Sequence, residues 1–243
     1  MNNSYITPQK RMQKRLKILP KIDDPELCNY LIKKRLWKDR WKTICHYYRR
    51  PRFAFVDLFF ALFAFFSNPY RTCRRFLQKR GESEVYAYGE TPFSTLQRIA
   101  EQSEIHEKDS WLELGSGRGK GCFWMAEFIG CQTIGVEWVP QFVLFASFLK
   151  NLFHFGRVSF QLKNIEEANF SFATVVYLYG TCLSEKRIQN LTQKMEKELS
   201  IGAKVVTISY PLDSPYFHIL KNFSVSFPWG ETIAYFHIKV NYD

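Results

Sequence analysis

The residues best suited to do chemistry lie between positions 88 and 137. Residues 115–121 read GSGRGKG, and with Glu113 they give the pattern acid-x-G-x-G-x-G. The apolar stretch 111–114 before them reads as a strand and 122–129 after them as a helix. Glycines at a strand-to-helix turn let a backbone approach a ligand closely, and the helix start adds oriented N–H groups. Two phosphate patterns are excluded. A dinucleotide fingerprint needs glycine at its sixth place, where counting from Gly115 gives Lys120 and from Gly117 gives Cys122. A phosphate loop fails because Gly119-Lys120 is followed by Gly121, not by Ser or Thr. A second acid, Glu137, follows the strand predicted over 133–136, where a carboxylate can accept from both hydroxyls of a ribose. Beyond a third strand, predicted over 158–162, Asn164 stands where an adenine edge would lie. Together these spacings point to a ligand that carries a nucleoside.

The elements that must position these groups follow from the periodicity. Residues 88–91 form a loop, and Thr91 with Pro92 gives a cap-then-proline helix start whose apolar face is Phe93, Leu96, Ile99 and Ala100. A strand over 174–179, a helix over 184–199 and a strand over 204–210 continue the alternation of an α/β, doubly wound sheet. Two strands close the chain, 224–227 and 232–240, joined through Pro228, Trp229, Gly230 and Glu231. A C-terminal antiparallel hairpin beside a parallel sheet resembles the architecture of seven-stranded methyltransferases.

The N-terminal third differs in character. Residues 1–80 hold 20 basic and 5 acidic side chains, a net +15, against 14 and 18, a net −4, over 81–243. The chain therefore divides into a basic, aromatic helical segment, 1–80, and a domain, 81–243. Asp24, Pro25 and Glu26 predict a helix start, with Leu27, Leu31, Trp37, Trp41, Ile44 and Tyr48 as an apolar stripe. Its basic positions suit an anionic membrane surface or nucleic acid, or else a solvated face whose stripe packs on the domain. Residues 53–66, FAFVDLFFALFAFF, carry seven phenylalanines and one charge, Asp57. A helix of 14 residues spans about 21 Å, short of the roughly 30 Å hydrocarbon core. It suits either a helix dipping into one leaflet or one covering the domain. The six cysteines lie nine or more residues apart, which excludes CxxC metal ligation, and no metal is expected. With no secretory signal pattern, a cytoplasmic place is expected, peripheral to a membrane if the 53–66 run meets lipid.

Four blocks resemble class I methyltransferases that use S-adenosylmethionine, and among them the disruptor-of-telomeric-silencing, non-SET type of protein-lysine methyltransferase. They are Tyr88-Gly89-Glu90-Thr91, residues 113–119, Gly135-Val136-Glu137, and the Trp229-Gly230 turn with Tyr235. The resemblance covers about residues 86–240. It implies a Rossmann-like sheet and S-adenosyl-L-methionine as cofactor. Tyr88, Gly89, Glu90 and Thr91, with Glu113, Gly115, Ser116, Gly117, Gly119 and Lys120, would hold its methionine part, Glu137 its ribose, and Asn164 with Ile165 its adenine. Trp229 and Tyr235 would line the acceptor channel, with Tyr179 beside them. The family pattern has Asp where this chain has Asn164, and an Asn pair where it has Tyr179 and Gly180. A protein lysine is the implied acceptor. A small molecule, a lipid or RNA is the alternative, as is a non-catalytic cofactor-binding module docked on membrane or nucleic acid.

Overall fold

In the computed structural model, which describes residues 25–82, 84–85 and 88–242, the apolar stretches become β1 (Ser110–Leu114), β2 (Gln132–Glu137), β3 (Val158–Leu162), β4 (Val175–Leu178) and β5 (Lys204–Ile208). All five pair in parallel. A hairpin of β6 (Phe217–Phe227) and β7 (Gly230–Lys239) turns through Pro228 and Trp229, and β7 runs antiparallel to β5. The order β3-β2-β1-β4-β5-β7-β6 is the expected seven-stranded sheet with its C-terminal hairpin. Central strands are buried on both faces, so β4 is apolar throughout, with all four of its residues buried. The edge strand β6 starts at Phe217 and not at Ser224: His218 to Asn222 are all exposed, and a register shift falls between Ile219 and Lys221. No alternation announces that half of the strand.

Seven α-helices surround the sheet among the described residues: α1 (Pro25–Tyr47), α2 (Pro51–Phe66), α3 (Pro69–Lys79), α4 (Phe93–Gln102), α5 (Lys120–Trp124), α6 (Pro140–Leu152) and α7 (Glu185–Glu198). The cap expected at Asp24 lies outside the described residues. Helix α5 continues as a π-helical turn, Met125–Ile129, and ends at Gly130, whose φ of 84° suits glycine. Helices α3 and α6 go beyond what the spacing predicts. The first is announced by Asn68, whose side chain accepts from the Arg71 amide at 3.2 Å, and by Pro69. The second carries apolar residues on its exposed face as well as its buried one, so no single stripe reveals it: Phe142, Ala146 and Leu149 are buried while Leu144, Phe148 and Leu152 are exposed.

One core lies between the sheet and α4, α5 and α2; the other lies between the sheet and α7. Helix α2 contributes Phe53, Val56 and Phe60, which join Phe93, Trp111 and Phe123. Its one acid, Asp57, is turned inward and accepts from Arg40 and, at 2.8 Å, from the Tyr48 hydroxyl. The apolar stripe of α1 does not pack on the domain. Contact runs instead along Asp39, Thr43 and Tyr47, where the Asp39 carboxylate accepts from Ser94 at 2.7 Å and Tyr47 donates to Gln97 at 2.7 Å. Leu27, Trp37, Trp41 and Ile44 are left exposed. No single described helix is long and apolar enough to cross a membrane; α2 and α3 are bent 62° from each other.

Burial divides α2 into two faces with different energetics. Phe53→Ala should lower the unfolding free energy by about 3–5 kcal/mol, the range for a buried phenylalanine, whereas Phe65→Ala should stay within about 0.5 kcal/mol. Urea titration of both variants checks it.

Candidate active site

The carboxyl ends of β1, β2 and β4 meet where the sheet order reverses, at the crevice in which open α/β sheets place ligands. The chain leaves β1 through Gly115 (φ 79°) and Gly117 (φ 55°) and enters α5 at Gly119. At Gly119, φ is 84° and an added Cβ would meet the Phe160 ring at 2.5 Å, so a larger residue would be both strained and crowded. Gly121 leaves room for the Glu113 carboxylate, which occupies the space a Cβ would fill. Gly89, Glu90, Thr91, Glu113, Gly115, Ser116, Gly117, Lys120 and Tyr179 line one small cleft, together with Leu114, Gly121 and Tyr177. Tyr88 packs over Gly117 and Tyr179 over Gly89, 3.3 Å and 3.0 Å from where a Cβ would stand. With these rings in place the cleft is narrow, with about 20 Å³ of open volume.

The electrostatics rest on two carboxylates with opposite fates. Burial raises the Glu90 carboxyl, but Lys120 and Arg118 beside it and the Tyr88 hydroxyl outweigh that and hold it below its ordinary range. Arg118 Nη2 lies 2.6 Å from Glu90 Oε1, and Lys120 Nζ lies 3.3 Å from Oε2. Arg118 also donates to the Phe60 carbonyl at 2.7 Å and to the Tyr88 hydroxyl at 3.1 Å. Among the described residues Glu113 has no such cation. Burial pushes it up to about 7, against a hydrogen bond from the Cys122 thiol at 3.2 Å. It is a carboxylate that lacks a positive partner and opens on the cleft.

At the end of β2, Glu137 accepts from the Gly117 amide on one oxygen and from the Trp138 and Val139 amides on the other, at 2.7–2.8 Å. Burial still raises its carboxyl. A carboxylate has about four acceptor positions, and one is left here for a hydroxyl donor. Beyond β3, Asn164 begins a 3₁₀ turn over Ile165–Glu167. Its Oδ1 accepts from the Glu166 amide at 3.3 Å and from Arg187 at 3.2 Å. The hydroxyl of Thr91, read from the sequence as a cap, forms a buried 2.7 Å hydrogen bond with Tyr177, and Pro92 takes the N-cap position.

The hairpin places aromatic rings beside the cleft. Tyr179 stacks on Phe227 at 4.7 Å and Phe227 on Trp229 at 5.3 Å, and the Trp229 indole N–H donates to the Tyr179 hydroxyl at 2.8 Å. Tyr235 does not join them. Alternation along β7 sends Ala234 and Phe236 into the core on the Phe227 side, so Tyr235 lies on the opposite face with His237, whose ring contacts the Leu212 amide. Three groups central to the site escape sequence reasoning. Arg118 and Tyr177 occupy unspecified places in a loop motif and a strand, and the Phe60 carbonyl belongs to a run legible only by its hydropathy.

The sequence pattern of the family described as histone methylation protein DOT1 matches residues 75–221. Among solved structures, an RNA methyltransferase from Salinibacter ruber, in complex with S-adenosyl-L-homocysteine, is 26% identical over 64% of this chain and 97% of its own, with a TM-score of 0.54. TrmN from Thermus thermophilus (11% identity, 63% of this chain, 50% of its own, TM-score 0.55) shares the fold. So does geranyl diphosphate C-methyltransferase from Streptomyces coelicolor A3(2) (12%, 60%, 79%, 0.51). No curated protein matches the chain.

Because the folded form holds a proton on Glu113 up to about pH 7 and the unfolded form loses it near 4.5, folding stability conferred by this group is present below about 4.5 and is lost as pH rises towards 7. Glu113→Gln should therefore be more stable than the parent chain at pH 8 and lose that advantage at pH 4.5, as thermal melts at the two values would show. Arg118→Met should destabilise by about 3–5 kcal/mol, because it strands a buried Glu90, and adding Glu90→Gln should recover part of that loss.

Proposed function

Because the chain belongs to the histone methylation protein DOT1 family, and so is an S-adenosylmethionine-dependent methyltransferase, we propose that its methyl group goes to the amine of a protein lysine. One observation carries this reading: the Tyr179–Phe227–Trp229 stack stands beside the cleft, Tyr179 lining it and Trp229 partly exposed at the far end of the stack. A lysine amine must be neutral to attack, and an apolar aromatic wall disfavours its ammonium form.

The donor set fits the cofactor. Glu113, buried and without a cation among the described residues, suits the ammonium of a methionine moiety; the turn from Gly115 to Gly119 offers backbone for close approach; Glu137 keeps one acceptor position for a ribose hydroxyl. Asn164 and Ile165, beyond the end of β3, would face the adenine by the family resemblance. The bound cofactor supplies an activated methyl group on a sulfonium. The residues would do the rest by placement: Glu113 would hold the ammonium of the methionine part and Glu137 the ribose, the hairpin aromatics would orient the acceptor, and Tyr88 and Tyr179 would turn aside for the cofactor to enter. Tyr179 stays protonated, since burial raises its hydroxyl to about 12, so it orients and does not act as a base.

RNA is the second reading, favoured by the 26% identity to the Salinibacter RNA methyltransferase. Incubation with radiolabelled S-adenosylmethionine and a lysate, followed by mass spectrometry, separates the two. Methyl-lysine on protein supports the first; label found only in RNA, lipid or metabolites overturns it.

Two variants read the site independently. Trp229→Ala should cut turnover at least tenfold with cofactor affinity nearly unchanged, and Tyr235→Phe, on the far face of the sheet, should leave both unchanged. Cofactor affinity measured by calorimetry should rise as pH goes from 6 to 8, because the ammonium needs an ionised Glu113, and Glu113→Gln should flatten that profile.

A further inference from the structure

Helix α2 covers the core with one face and leaves the other bare. Phe55, Leu62 and Phe66 are exposed on it, the last at 81%. Beside it, α6 exposes Leu144, Phe148 and Leu152, spaced i, i+4, i+8. The two rows are neighbours, because Phe59 meets Phe148 with ring centroids 6.4 Å apart and Phe63 meets Phe145 at 4.4 Å. No charge interrupts the α2 row: Asp57, the only ionisable residue between Phe53 and Phe66, is buried against Arg40 and Tyr48. Basic side chains frame the surface, with Arg49 and Arg50 exposed before α2 and Arg71 and Arg75 exposed beyond its end.

We infer that this two-helix face docks the protein on an anionic lipid bilayer, with the α2 and α6 rows dipping below the headgroups and the flanking arginines at the lipid phosphates. The charges decide the occupant. A second copy of the same face would bring arginine against arginine, whereas an anionic surface complements all four. Inward rotation of the only acid removes the group that would be most costly to bury in lipid. Helix α2 is too short to cross, and the bend to α3 turns the chain away just where arginines begin. The inference does not depend on the identity of the methyl acceptor.

The test is co-sedimentation of the full chain with large vesicles, either pure phosphatidylcholine or with 30% phosphatidylglycerol (about a third anionic, enough for a strong surface potential). Binding should favour the anionic vesicles at least tenfold and weaken when salt is raised. Phe66→Ser with Leu144→Ser and Phe148→Ser should reduce binding at least tenfold while leaving cofactor affinity, the check on folding, unchanged. Arg71→Glu with Arg75→Glu should remove the preference for anionic vesicles without disturbing the core. Failure of the parent chain to bind vesicles overturns the proposal. So does serine-variant binding equal to the parent's, or a serine variant whose only change is conversion of a dimer to a monomer.

Discussion

The buried ion pair between Arg118 and Glu90 ties together three separate parts of the chain. Arg118 comes from the glycine turn, Glu90 from the loop before α4, and the carbonyl that accepts the other end of the guanidinium from α2. Desolvating two charges costs several kcal/mol each, and the cost is met here only because nearly every donor and acceptor finds a partner. The guanidinium bonds to Glu90, Tyr88 and Phe60, and its flat face lies over the Phe60 and Phe63 rings at 5.3 and 5.6 Å. The shape of the glycine turn therefore depends on a helix some sixty residues earlier in sequence.

That dependence sets the contrast between the two acids of the cleft. Glu90 has its cations and stays ionised as part of the framework; Glu113 has none and is poised near neutrality. The sheet separates other roles in the same way. Because successive residues of β7 face opposite sides, one position decides whether an aromatic ring looks toward the Tyr179 stack or toward His237.

The framework was largely legible in the sequence because its signals are local. Apolar runs that end in glycine or acid gave β1 and β2, and Ser184 gave the start of α7. What escaped has no local signature. The first half of β6 is an exposed edge, α6 has apolar residues on both its buried and its exposed face, and the stripe of α1 misleads because its contact ridge is the more polar line through Asp39, Thr43 and Tyr47. The same holds at the site. Glycines and acids in motif positions could be named from spacing, whereas Arg118 matters through partners 28 and 58 residues away. Tyr235 could be assigned to a face only once the register of the hairpin was known.

The order in which α2 and its partners occur along the chain has a consequence for biosynthesis. The rings that cover its inner face include Phe93, Phe123, Phe145 and Phe153, all of them later in sequence. At about 5–20 residues per second, the ribosome needs roughly 4–17 seconds to add the residues between Phe66 and Phe153. During that interval the inner face of α2, the most apolar of the described helices, lacks part of its cover, and its outer face is bare. The helix therefore waits for the last of its own partners longer than any other buried part of the N-terminal segment does.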